Sequence, residues 1–137
     1  MKNVAIVLAV FFLAGCAGVE ITEKNTTIVM AKKVVKEGGA HASDITDTFG
    51  QEGQIFAFLT FRWEPISTHA GAQRIEVRWF NGDQEIQRRT HDANFGSSPW
   101  HAWFATTGLA IGPGKCRVDA YVNGKLAATR SFAVVEK

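Results

Sequence analysis

Arg74-Ile75-Glu76-Val77-Arg78-Trp79-Phe80-Asn81-Gly82 alternates apolar and charged side chains, with Ile75, Val77 and Trp79 on one side and Arg74, Glu76 and Arg78 on the other. A period of two places successive side chains on opposite faces of a pleated strand, so this segment lies on a core with its charged face in water. Asn81-Gly82 then offers the positive-φ pair that a two-residue hairpin favours, and residues 84–90 are expected to return beside it. On the N-terminal side, residues 54–63 are denser in apolar groups. Ile55, Ala57, Leu59, Phe61 and Trp63 point one way and Phe56 and Phe58 the other, as expected of a strand covered on both faces.

The same grammar continues in both directions. Residues 100–107 form a further strand, and residues 115–122 lead through Asn123-Gly124 into residues 125–135 as a second hairpin. Thr26–Val35, rich in Thr, Ile and Val, reads as the first strand. Residues 36–53 carry Gly38-Gly39, Gly50 and Gly53 without either periodicity, and read as a long loop: a contact loop or a plain surface connection. About seven strands, two tight turns and no helical segment make an all-β, antiparallel β-sandwich over residues 26–137. The chain has 137 residues, 46% hydrophobic and 20% charged, with a formal net charge of +2. That is one domain with ample core, too apolar for disorder and too weakly charged for a general nucleic-acid binder.

The ordering resembles immunoglobulin-like or fibronectin-like domains over roughly residues 26–135. The likeness is carried by the inward Trp79 in Arg78-Trp79-Phe80-Asn81-Gly82-Asp83 and by the ending from Gly114 to Gly124 followed by Ser131-Phe132-Ala133-Val134. It implies an immunoglobulin-like sandwich similar to small envelope domains of bacteria. The paired core cysteines of antibody domains are missing, because Cys116 is the one thiol after Cys16. Cys116 shares a strand face with Val118, Ala120 and Val122, which makes it a core thiol rather than a reactive one.

Residues 1–15 have the layout of a secretory leader: Lys2, an apolar run from Val4 to Leu13, then small residues. The run is shorter than the ~20 residues a spanning helix needs. Leu13-Ala14-Gly15-Cys16 resembles the lipobox of bacterial lipoproteins. The resemblance implies removal of residues 1–15, acylation of Cys16 on sulfur and amine, and attachment to a membrane without spanning it. Ala17, where Asp signals inner-membrane retention, favours the inner leaflet of the outer membrane with the body facing the periplasm. Residues 16–25 then form the lipidated cysteine and a polar tether.

No pattern calls for catalysis, a cofactor or a metal. There is no Gly-x-Ser-x-Gly elbow. Gly112-Pro113-Gly114-Lys115 lacks the first glycine of a phosphate loop, has Cys116 where Ser or Thr belongs, and reads as a β-turn. His41, His69, His91 and His101 have no ligand spacing; His91 with Asp92 is the pair nearest to a metal site, and loop histidines are the plainer reading. Asp44, Asp47 and Glu52 match no calcium loop.

Two surface features remain as candidates. Arg74, Arg78, Arg88 (or Arg89), Arg117 and Tyr121 lie on strands that a sandwich places in one sheet. They form either a partner-binding face or a wet face balanced by Glu76, Glu85 and Asp119. Trp100 and Trp103, with His101 and Phe104, crowd one strand, where they either stack on a ligand or seal the end of the sandwich. The expected function is a lipid-anchored, non-enzymatic accessory or assembly subunit that binds an envelope protein. The alternative is a glycan or small-ligand module using the two tryptophans.

Overall fold

The computed structural model describes residues 19–136. The leader, the lipobox and Cys16 lie outside the described residues. The alternating segment forms β5 (Gly71–Asn81), paired antiparallel along its whole length with β6 (Gln84–Phe95). Around this hairpin the described residues add β1 (Thr26–Val35), β2 (His41–Ile45), β3 (Thr48–Phe49), β4 (Gln54–Phe61), β7 (Trp100–Thr107), β8 (Gly114–Val122) and β9 (Lys125–Val134). They make an all-β sandwich of a four-stranded sheet, β2-β1-β4-β7, on a five-stranded sheet, β3-β9-β8-β5-β6.

The core lies where the two inward faces meet. Ile55, Leu59 and Phe61 of β4 and Ile75, Val77 and Trp79 of β5 have no solvent exposure. Trp79 meets Phe132 edge to face at 6.0 Å, and Phe132 meets Phe49 in the same way at 6.0 Å. At one end, Phe95 stands among Phe61, Trp63 and Trp100 with centroid distances of 4.9, 6.1 and 5.4 Å. Aromatic pairs in offset or edge-on geometry add to the burial of their surface, so this cluster closes that end firmly. Cys116 is buried in the core, and its thiol is directed at the Gly114 carbonyl at 3.4 Å.

Four expectations change. Residues 36–53 are not a structureless loop, because β2 pairs with the second half of β1 and β3 runs parallel to the end of β9. These strands owe their place to backbone hydrogen bonds; among their side chains Phe49 alone is buried, so no apolar alternation marked them. Residues 19–25 do not hang as a tether: Ile21 is buried, Val19 packs on the core, and a capped 3-10 turn at Glu23–Asn25 leads into β1. In the first hairpin the turn is Gly82-Asp83, with Asn81 and Gln84 paired. Asn81 instead donates from Nδ2 to the Ile111, Gly112 and Pro113 carbonyls at 3.1 Å. Finally, one four-residue helix, α1 (Gly108–Ile111), is present, capped by Thr107, whose Oγ1 accepts from the Ala110 N–H. The second hairpin turns as expected, with Asn123 and Gly124 at φ 52° and 86°.

Candidate functional site

The five arginine-face candidates do share one surface. Register places Arg78 opposite both Arg88 and Asp119, Tyr121 opposite Glu76, and Arg117 opposite Phe80, all on the outer face of the five-stranded sheet. Two like charges directly across a sheet repel, and here a β-bulge answers them. The register shift between Trp79 and Phe80 leaves Ile86 extra on β6, which brings Glu85 to the same face as Arg88, three residues on. Glu85 accepts two bonds from Arg88, at 2.7 and 2.8 Å, while Glu76 contacts Arg88 at 3.3 Å and Arg78 at 3.2 Å.

The rest of the face is paired in the same manner. Arg74 makes a two-pronged pair with Asp92 at 2.7 and 3.1 Å, Arg117 reaches Asp119 at 3.0 Å, and Asp119 also accepts from Thr129 at 2.6 Å. The guanidinium hydrogen bonds hold the Glu85 and Asp92 carboxyls below their ordinary values. Arg78 stacks over Tyr121 at 4.2 Å and Arg117 over Phe80 at 4.0 Å. The face is contiguous and its four arginines are each paired with a carboxylate, although Arg78 Nε is buried without a hydrogen-bond partner among the described residues.

The tryptophan candidates lie elsewhere. β6 is the last strand of its sheet and β7 the last of the other, so among the described residues each has one side with no strand beside it. Between these two open edges runs a groove of about 340 Å³, lined by consecutive residues 89–91 of β6 and 100–104 of β7. Consecutive lining residues mean that strand backbone, as well as side chains, borders the space. Trp100 faces inward and stacks on Phe95. Trp103 faces outward, stacked at 5.9 Å and 13° on Phe58, with Lys36 Nζ 5.8 Å from its ring centroid. His101 lies beside it, hydrogen-bonded through Nδ1 to Thr60 Oγ1 at 3.0 Å. Burial, aided by the charge of Arg62, pushes the His101 imidazole below its ordinary value.

The polar side chains on the groove include Arg89, His91 and His101, and no carboxylate among the described residues lines it. Arg89 makes no ion pair among the described residues. Arg89 lies on this side because its neighbour Arg88 points to the outer face, an assignment that the Arg88-Arg89 pair leaves open until the register of β6 is known. Lys36 and Phe58 are also new members of this region; only the two-sided apolar pattern of residues 54–63 hinted at Phe58. His91 and Asp92 do not converge on a metal site, since Asp92 is engaged with Arg74. Burial pushes the Cys116 thiol up, away from thiolate chemistry.

No protein-family model and no curated protein sequence matches the chain. Solved structures do resemble it. An immunoglobulin-like protein from Pseudomonas aeruginosa superposes with a TM-score of 0.52 at 9% identity, over 86% of this chain and 98% of that one. A β-glucosidase from Listeria innocua gives 0.50 at 9% identity over 82% of this chain, which spans 16% of the enzyme's length. The CARDB domain of a Pyrococcus furiosus protein gives 0.46 at 13% identity, over 81% and 96% of the two chains. At such identities the likeness speaks to fold, and the fold is an immunoglobulin-like β-sandwich.

Proposed function

We propose that the protein is a lipid-anchored, non-enzymatic accessory or assembly subunit of a bacterial envelope, facing the periplasm, that binds its protein partner along the groove between β6 and β7. The observation that supports this reading is the pair of strand edges left open among the described residues, flanking a groove that carries Arg89. An extended segment of a partner finds unpaired backbone groups there, together with the half-buried surfaces of Trp100 and Phe104. Arg74, Arg78, Arg88, Arg117 and Tyr121 are the weaker surface, because the arginine charges there are already balanced by carboxylates and offer a partner little net electrostatic attraction.

Crosslinking in intact cells, followed by detergent extraction and mass spectrometry, tests the choice of surface. Placing negative charge on the groove with Arg89→Glu and His91→Glu, both exposed, is expected to reduce partner recovery by about tenfold or more, in line with loss of a charged contact at Arg89. Arg78→Ala with Tyr121→Ala is expected to leave recovery unchanged. The opposite result moves the interface to the arginine face.

A glycan or small ligand in the same groove is the second reading, favoured by the size of the groove and the tryptophans beside it. It is weakened by Trp103, whose ring already stacks on Phe58 and has Lys36 Nζ 5.8 Å from its centroid, so a sugar must compete for ring surface there. Trp63 and Trp79 are buried at 4% and 0% exposure. A change in tryptophan emission on titrating cell-wall fragments would therefore report Trp100 and Trp103, and a flat response across a broad panel removes this reading.

A further inference from the structure

The docking of Val19 and Ile21 on the body shortens the link to the membrane. Only Ala17 and Gly18 separate Cys16 from Val19. Three residue steps span at most roughly 10 Å, whereas a ten-residue strand such as β1 is about 33 Å long. With a lipid on Cys16, the body has no slack to present its far end to the bilayer.

Strand register defines which end is near. Thr26 lies beside Phe61 and Phe61 beside Trp100, Gly71 lies beside Phe95, and Val122 lies beside Lys125. Residues 19–25, the connections 62–70 and 96–99, and the Asn123-Gly124 turn therefore share one end. The opposite end carries α1 with Leu109, 74% exposed, and Val135. Both ends thus show apolar side chains, and the length of the link selects between them.

At the near end the connection 62–70 presents Pro65 and Ile66, with Ile66 58% exposed. The loop is held from behind. Trp63 donates from Nε1 to the Thr68 carbonyl at 2.7 Å and from its backbone N–H to Ser98 Oγ at 3.0 Å, and Ser98 N–H donates to the Ile66 carbonyl at 2.9 Å. With its carbonyl engaged from behind, Ile66 is displayed as an apolar tip on a loop pinned to β7's approach. Arg62 is joined to the entry of β1 by Asn25, which receives the Arg62 N–H on its carbonyl at 2.8 Å and donates from Nδ2 to the Arg62 carbonyl at 2.8 Å. Neither Arg62 nor Lys24 is ion-paired among the described residues, which leaves both available for lipid phosphates. Glu23 and Glu64 at the same end keep its net charge near zero, so the apolar tip, more than charge, decides the orientation.

We infer that this end of the sandwich is a lipid-contacting surface, with Ile66 seated at the headgroup boundary and the β6–β7 groove standing upright and open to the side. This rests on the proposed acylation of Cys16. A side chain at such depth, about 5–10 Å into the interface, feels the acyl boundary, and one at the far end does not.

The test uses the full-length lipoprotein, extracted from membranes, weighed by mass spectrometry and reconstituted in phosphatidylethanolamine–phosphatidylglycerol vesicles. Ile66→Cys and Leu109→Cys, each labelled with an environment-sensitive fluorophore, are compared; Cys116 is buried and its thiol is kept protonated by its surroundings. A blue shift and about threefold stronger quenching by brominated lipid at position 66 than at 109 is expected for interfacial depth. Equal quenching at the two positions in a chain whose mass shows acyl groups on Cys16 overturns the orientation and leaves the anchor standing. A mass without acyl groups removes the anchor, and this orientation with it.

Discussion

His101 is the residue whose chemistry departs most from what its sequence position suggests. It is half-buried against Thr60 and Phe58, with an imidazole held below 6.5 by burial and by Arg62. The unfolded chain therefore binds protons more readily than the folded one. The contribution to stability is complete above 6.5 and is lost as pH falls through the depressed folded-state value. The melting temperature of the wild-type protein is expected to fall more than that of His101→Gln between about pH 7 and about pH 5, and parallel curves would show that this imidazole is not coupled to folding. Asn123 is the second such residue. It takes φ 52°, accepts the Arg74 N–H at 2.9 Å and donates to Gln73 Oε1 at 2.7 Å. Asn123→Ala loses both bonds and retains the unfavourable φ. A cost of about 2 kcal/mol is expected in urea unfolding, and one below about 0.5 kcal/mol would contradict the account.

Among the elements, strands with alternating side chains were legible from sequence, and strands made by backbone pairing alone were not. β1 runs over Thr26–Val35 as the composition of that segment indicated, and β4, β5, β7, β8 and β9 lie within a few residues of their expected bounds. β2 and β3 were hidden because their side chains, Phe49 apart, face solvent. α1 was hidden because four residues cannot display a helical period. Its first residue, Gly108, packs against the Gly50 carbonyl oxygen, and an added Cβ would also lie 2.8 Å from Gln51 Cα. Backbone cannot yield as a side-chain tip can. Gly108→Ala is accordingly expected to destabilise by about 1–3 kcal/mol, read as a lower urea midpoint with an unchanged slope.

At the scale of the whole molecule, the sandwich has no covalent cross-link among the described residues; Cys116 is a free thiol, 4% exposed. Its stability rests on the interlocked faces of the two sheets, and the melting temperature is expected to be the same with and without reductant. A reductant-sensitive transition would reveal a disulfide that buried Cys116 should not form. The sequence by itself determined the fold class, the inward set around Trp79, the burial of Cys116 and the strands that carry the arginines. These follow from periodicity, which is a local property of a pleated chain. It also placed Trp100 and Trp103, three residues apart on one strand, on opposite faces, without saying which of them faces the core. Only the tertiary structure decided that Arg74, Arg78, Arg88 and Arg117 are already ion-paired with carboxylates, since that depends on register and on one bulge. It alone decided that the open edges of β6 and β7 come together around a groove and that Val19 and Ile21 belong to the body. Pairing between distant strands, and the gap left where pairing stops, are set by how the sheets close on one core, and no local spacing records that.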